Sequence, residues 1–176
     1  MNKDLYLNLA SKLSGEVPVT IEYFEIQYEG YESSFSENTE YDALDYGVNF
    51  RMASGKVYAF IWGSEFTQYG VSILEPELQS EVNEFRKIEV SNSKNWSHVV
   101  NREIENVEVI WHWVKKAGFF KKRTYYPQSI LLKFSGGSSV IISAMEITDT
   151  SHWGMADNIV IFFNEQIANK YRALNT

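Results

Sequence analysis

Ile21-Glu22-Tyr23-Phe24-Glu25-Ile26 returns 83 positions later (104 − 21) as Ile104-Glu105-Asn106-Val107-Glu108-Val109. After each run, the same features come in the same order. A loop leads to a pair of strand-like runs around a small-residue turn. The pair is Val48–Met52 and Val57–Trp62 around Ala53-Ser54-Gly55 in the first copy. In the second it is Ile130–Phe134 and Val140–Ala144 around Ser135-Gly136-Gly137. An aromatic-Gly pair comes next, Tyr69-Gly70 or Trp153-Gly154, then a short apolar run, Val71–Leu74 or Ile159–Phe163. Self-similarity at a fixed period constrains a fold strongly, because both copies must solve the same packing problem.

Within each copy the pattern is that of strands. Val48, Phe50 and Met52 alternate with Asn49 and Arg51, which gives one apolar and one polar face. The Ser-Gly and Gly-Gly tips supply the positive φ that a tight hairpin needs. Helical spacing closes both copies: Leu78, Val82 and Phe85 after Pro76, and Ile167, Ala168 and Tyr171. Leu5, Leu9 and Leu13 mark an N-terminal helix that stops at Gly15. The expected fold is α+β: two tandem diverged repeats of an antiparallel β-meander followed by a helix, plus the N-terminal helix. Residues 1–15 form that helix, 16–90 the first unit and 96–176 the second. The two units form one compact pseudo-symmetric domain joined through Ser91–Asn95.

A chain of 176 residues buries enough surface to need no covalent staple, and it has no cysteine to make one. That excludes thiolate nucleophiles and thiolate metal sites. Met1–Tyr6 lacks the apolar core of a secretory signal. No run approaches the ~18 apolar residues of a membrane span. A cytoplasmic protein that engages no membrane is therefore expected.

The copies part company after their first strands. Residues 29–46 hold Glu29, Glu32, Glu37, Glu40, Asp42 and Asp45 with no basic residue, interleaved with aromatics that include Tyr41 and Tyr46. Residues 115–126 hold Lys115, Lys116, Lys121, Lys122 and Arg123 with no acid. Solvated surface accounts for both segments. Two other readings carry function. The segments could meet each other, within a chain or across a homodimer held by opposite-charge loops. Alternatively, Glu37, Glu40, Tyr41, Asp42, Asp45 and Tyr46 form a recognition surface for a cationic protein, as in an immunity-type or inhibitor protein that masks a basic groove. The basic loop is the secondary contact. Nucleic acid is not the expected partner, because the whole chain carries a net charge of −7.

Catalytic patterns are lacking. His98, His112 and His152 show no metal-site spacing, and no metal or other cofactor is expected. His112, between Trp111 and Trp113 in a strand, should face away from both and be exposed. His152, with Asp149 or Asp157 nearby, is the best acid–base candidate. Ser135–Ser139 has the small residues of a phosphate cradle but joins two strands, so it reads as a hairpin. Glu25 and Glu108, equivalent in the two copies, read as outward-facing strand acids rather than a catalytic pair. The leading reading is a non-catalytic protein-binding module. The alternative is a binder of a small or amphiphilic ligand in an aromatic-lined pocket between the sheets.

Overall fold

The computed structural model describes residues 2–26, 36–37, 40–66, 68–75, 85–115, 123–148 and 150–174. Helix α1 (Lys3–Ser11) is capped by Asn2, whose side chain accepts from the Asp4 amide. A turn after it ends at Gly15, with φ of +84°. Tyr6, Ala10 and Leu13 face the core, whereas Leu5 is 67% exposed. Leu9 and Leu13 of the expected stripe pack on the core, but Leu5 gives way to Tyr6, and burial of the Tyr6 ring, whose hydroxyl donates to the Val71 carbonyl, decides which face turns inward.

Strands β1 (Pro18–Ile26), β4 (Gly47–Met52), β5 (Val57–Gly63), β6 (Gly70–Leu74) and β7 (Phe85–Glu89) build one antiparallel sheet in the order β6-β5-β4-β1-β7. The other contains β2 (Ser36–Glu37), β3 (Tyr41–Leu44), β8 (Ile104–Lys115), β9 (Arg123–Phe134), β10 (Ser139–Ile147) and β11 (His152–Phe162), ordered β2-β3-β11-β10-β9-β8. Each sheet thus holds one four-stranded meander, β1-β4-β5-β6 or β8-β9-β10-β11. The hairpin tips sit where the glycines put them, with Gly55, Gly136 and Gly137 all at φ near +85°.

Two elements depart from expectation. The acidic stretch is not simply a loop, since β3 leaves the first meander to pair with β11 of the opposite sheet, and β2 pairs with β3. And Phe85 does not close a helix; it opens β7, which pairs along β1 from Ile26↔Phe85 to Glu22↔Glu89. An open strand edge offers the Phe85–Glu89 backbone a full ladder, which outweighs local helical spacing. Leu78 and Val82 lie outside the described residues.

The sheets pack face to face over one core. Ile21, Tyr23, Val48, Phe50 and Phe60 from one sheet meet Ile130, Leu132, Ile142, Ala144, Ile159 and Ile161 from the other, all fully buried. These side chains pack on one another across the space between the sheets. Residues 91–103, expected to begin with a plain linker, are part of this core: Trp96 is fully buried, edge-on to Phe50 and Phe163. Helix α1 packs against β6 and β8. On the outer face of the six-stranded sheet, α2 (Glu165–Lys170) and the turn after it lay Ala168 and Ala173 over Leu131, Ile141, Met145, Val160 and Phe162. Asn164 caps α2, the closing helix expected from Ile167 and Tyr171.

The aromatic-Gly pairs mark close approaches. A side chain at Gly70 would come within 2.6 Å of the Pro127 carbonyl, and one at Gly154 within 2.2 Å of the Gln128 amide. Both glycines therefore make room for the same turn of β9.

Candidate functional site

The acidic residues are held by the fold. Asp42 is 1% exposed. Its Oδ2 accepts from the Tyr23 hydroxyl at 2.6 Å and its Oδ1 from Asn95 Nδ2 at 3.0 Å. The Tyr23 oxygen in turn accepts from Trp96 Nε1 at 2.5 Å. A buried carboxylate that accepts two such bonds is structural, so Asp42 cannot greet a partner from solution. Glu40 is tied to α2: Lys170 Nζ lies 2.8 Å from it and the Tyr171 hydroxyl donates at 2.9 Å. These bonds, Lys170 foremost, hold its carboxyl below the usual range. Tyr41 is half-buried against Phe162 and Tyr171, and Tyr46 against Trp62. Asp45 is half-buried, and burial, with Asp157 nearby, raises its carboxyl. Glu37 lies in β2, opposite Asp42. The six residues do not form one exposed face.

The basic segment sits at the other side of the same sheet, on the β8–β9 end, and β11 and β10 separate β3 from it. Lys115 pairs with Arg123, whose guanidinium lies 4.2 Å from the Trp113 ring. Lys116, Lys121 and Lys122 lie outside the described residues.

Where β9 leaves β10 the sheet splits. The two strands pair from Ser139↔Lys133 to Ser143↔Ser129 and no further, although both continue. The register of β8 explains the split. Ile110 pairs with Ser129, but Trp111 pairs with Pro127, so Gln128 is an extra residue on β9. Across the gap, Ala144 pairs with Ile159 and Met145 with Gly154, so Met155–Asn158 bulge out of β11. Met155 takes a φ of +62° there, an uncommon conformation for a residue with a side chain.

Gln128 bridges the parting strands. It is 2% exposed, and its Nε2 donates to the Ala144 carbonyl at 2.6 Å and to Ser143 Oγ at 3.1 Å. Ser129 donates to the Ala173 carbonyl at 2.7 Å and fixes the C-terminal turn above the split. With Nε2 so committed, Gln128 Oε1 is left buried with no hydrogen-bond partner, at a cost of roughly 1–3 kcal/mol.

The result is a cleft of about 250 Å³, walled by the rings of His112, Tyr126, His152, Trp153 and Tyr171, with Met145, Met155 and Gln128. Arg172 is the one charged residue among those lining it. His112 stands edge-on to Tyr126, and His152 edge-on to Tyr171. Burial pushes the Tyr126 hydroxyl up to about 12, so it stays a neutral donor at physiological pH. His112 is therefore half-buried in a cleft rather than fully exposed. Pro127 is the sequence signal for this site, because proline inside a strand marks an edge or a bulge.

The acid–base pairing expected at His152 is not assembled among the described residues. None of the described carboxylates lines the cleft. Asp157 is exposed on the bulge, and Asp149 lies outside the described residues. Glu25 is 2% exposed, opposite Arg86 in the ladder, whereas Glu108 is exposed on β8, so they are neither equivalent in setting nor paired. Gly137–Ser139 borders a hollow of about 280 Å³ with His98 and Asn164–Gln166. The amides of Gln166 and Ile167 there are already taken by the Asn164 side chain, so that hollow is no phosphate cradle. No cluster of three or more His, Cys, Asp or Glu residues suited to a metal occurs among the described residues, and no helix among them is long and apolar enough to cross a membrane. Comparison of the chain with family models, with curated proteins and with solved structures found no match.

Proposed function

We propose that this is a non-catalytic binding protein whose ligand is a small planar molecule carrying negative charge, held in the cleft where β9 and β10 part. The observation that carries the reading is the lining: five aromatic rings around one cation. Ring walls favour a flat apolar body, and a few placed polar groups orient it. Arg172 offers a fork of donors to a carboxylate, and Tyr126 a neutral hydroxyl. At about 250 Å³ the space lies just under the usual range for ligand sites and suits a molecule of one or two fused rings.

This is the ligand-binding alternative drawn from the sequence, moved from between the sheets to the outer face of one of them. Recognition of a cationic protein by the acidic segment has less to rest on once Asp42 is buried and Glu40 is bound to α2. We further read the two meanders as diverged copies of one unit, supported by their matching strand order and glycine turns. On that reading the cleft belongs to the second copy alone. In the first, β4 ends at Gly47, where the chain arrives from β3 and the other sheet, so no strand continues to part from β5.

The test is calorimetric titration with indole-3-carboxylate and related bicyclic acids as probes. Binding is expected, weakened about tenfold or more by Trp153→Ala, a typical loss for an aromatic contact. Arg172→Gln should weaken the acids but leave the matching uncharged rings unaffected. Equal affinity of wild type and both variants for every probe would refute the site.

A further inference from the structure

We infer that the outer edge of β8 is a contact between two copies of this chain, paired antiparallel about Ile110. β8 is the terminal strand of its sheet. The first turn of its free edge is occupied, since Gly15 N donates to the Ile104 carbonyl and Ile104 N to the Glu16 carbonyl. Beyond Glu105, no backbone hydrogen bond runs from β8 to any strand but β9 among the described residues. A long edge of this kind is a template for another strand unless the fold blunts it. Trp113, 40% exposed, leaves an aromatic ring beside it.

The sequence of β8 says which strand fits. A two-fold axis through Ile110 sets each residue opposite the one equally far on the other side. Val109 then faces Trp111, Val107 faces Trp113, Glu108 faces His112, and Glu105 faces Lys115. Val109 and Val107 meet aromatic residues, and each acid of the strand meets a basic or protonatable residue, the pairing that stabilises an antiparallel ladder; Asn106 against Val114 is the one unmatched pair. Moving the axis to Val109 sets Glu105 against Trp113 and Glu108 against Ile110; moving it to Trp111 sets Glu108 against Val114 and Val107 against Lys115. Of these three registers only the central one gives both acids a basic or protonatable partner. The contact is isologous, so it closes at two copies and joins two six-stranded sheets into one. It shares only His112 with the lining of the ligand cleft, and the pair that tests it, Glu105 and Lys115, lies outside that lining.

Charge exchange tests it. Glu105→Lys sets Lys against Lys in both halves of the contact, and Lys115→Glu sets Glu against Glu. Each should weaken association about tenfold or more, since like charges face each other twice. Both residues are exposed, so folding should be unaffected. Mixing the two single variants restores both opposite-charge pairs in a heterodimer. Sedimentation equilibrium is expected to show wild type moving to twice the chain mass as concentration rises, each variant staying a monomer, and the mixture dimerising. Amide exchange in residues 106–114 should slow with concentration in wild type alone. A wild type monomeric at millimolar concentration, or a dimer that neither variant disturbs, would overturn the inference.

Discussion

Replacing Trp96 by alanine is expected to cost about 3–5 kcal/mol, the range for deleting a buried aromatic ring. The ring is fully buried where Phe50, Tyr23 and Phe163 meet it edge-on. It directly follows Ser91–Asn95, the stretch that composition marks as a connection between units. In a chain of this length the loss corresponds to a fall in melting temperature of roughly 6–20 °C. Trp96→Phe retains a ring for the edge contacts, removes the Nε1 bond to Tyr23 and leaves a smaller void than alanine does. Its cost should be about 1–2 kcal/mol. Urea unfolding of the two variants separates packing from hydrogen bonding. Equal small effects would mean that residues 91–103 are a loose linker after all.

The second large effect is at Asp42. Asp42→Ala removes the acceptor for the fully buried Tyr23 hydroxyl and for the half-buried Asn95 Nδ2. The expected loss is about 3 kcal/mol or more. Exposed surface carboxylates, by contrast, change stability within ~0.5 kcal/mol. Asp42→Asn keeps one carbonyl oxygen and should fall between. Because Trp96, Tyr23 and Asp42 form one chain of bonds, Trp96→Phe combined with Asp42→Ala should cost less than the sum of the two. A loss below ~0.5 kcal/mol for Asp42→Ala would return the acidic segment to the surface and reopen its role as a partner face.

Those two residues show where sequence reading reaches its limit. Strand alternation and glycine tips are local properties. Accordingly Val48–Met52, Ile130–Phe134 and the turns at Gly55 and Gly136-Gly137 were legible, as was the closing helix at Ile167. The fate of residues 36–46 was not, because it depends on a non-local partner: β3 joins the sheet only through β11, more than a hundred residues later. Charge counting saw six acids and no base. It could not see that Asp42 would face Tyr23 or that Glu40 would reach Lys170. At the N-terminal helix Leu9 and Leu13 were legible as core-facing, but only the sheet beneath puts Tyr6 rather than Leu5 on the buried side. Phe85 carried a helical spacing that an open edge of β1 overrode.

The cleft was legible in fragments. His112 and His152 stood out individually, and Trp153-Gly154 as a recurring pair. Nothing local brings them together, since a single extra residue at Gln128 shifts the register of β9 and parts it from β10. Pro127 carried that information, as did the small and polar run Gly154-Met155-Ala156-Asp157-Asn158 inside a strand. Tyr171 and Arg172 could not be assigned to the site without knowing that the C-terminal turn docks on Ser129.

The most direct test of the binding account is a map of amide shifts in isotope-labelled protein titrated with indole-3-carboxylate. The account predicts saturable changes confined to residues 112, 126, 128, 145, 152–155 and 171–172, reduced in Trp153→Ala, with the rest of the spectrum still. Saturable changes that instead cluster at the acidic segment or the β8–β9 end, or a spectrum that does not move at all, would contradict it.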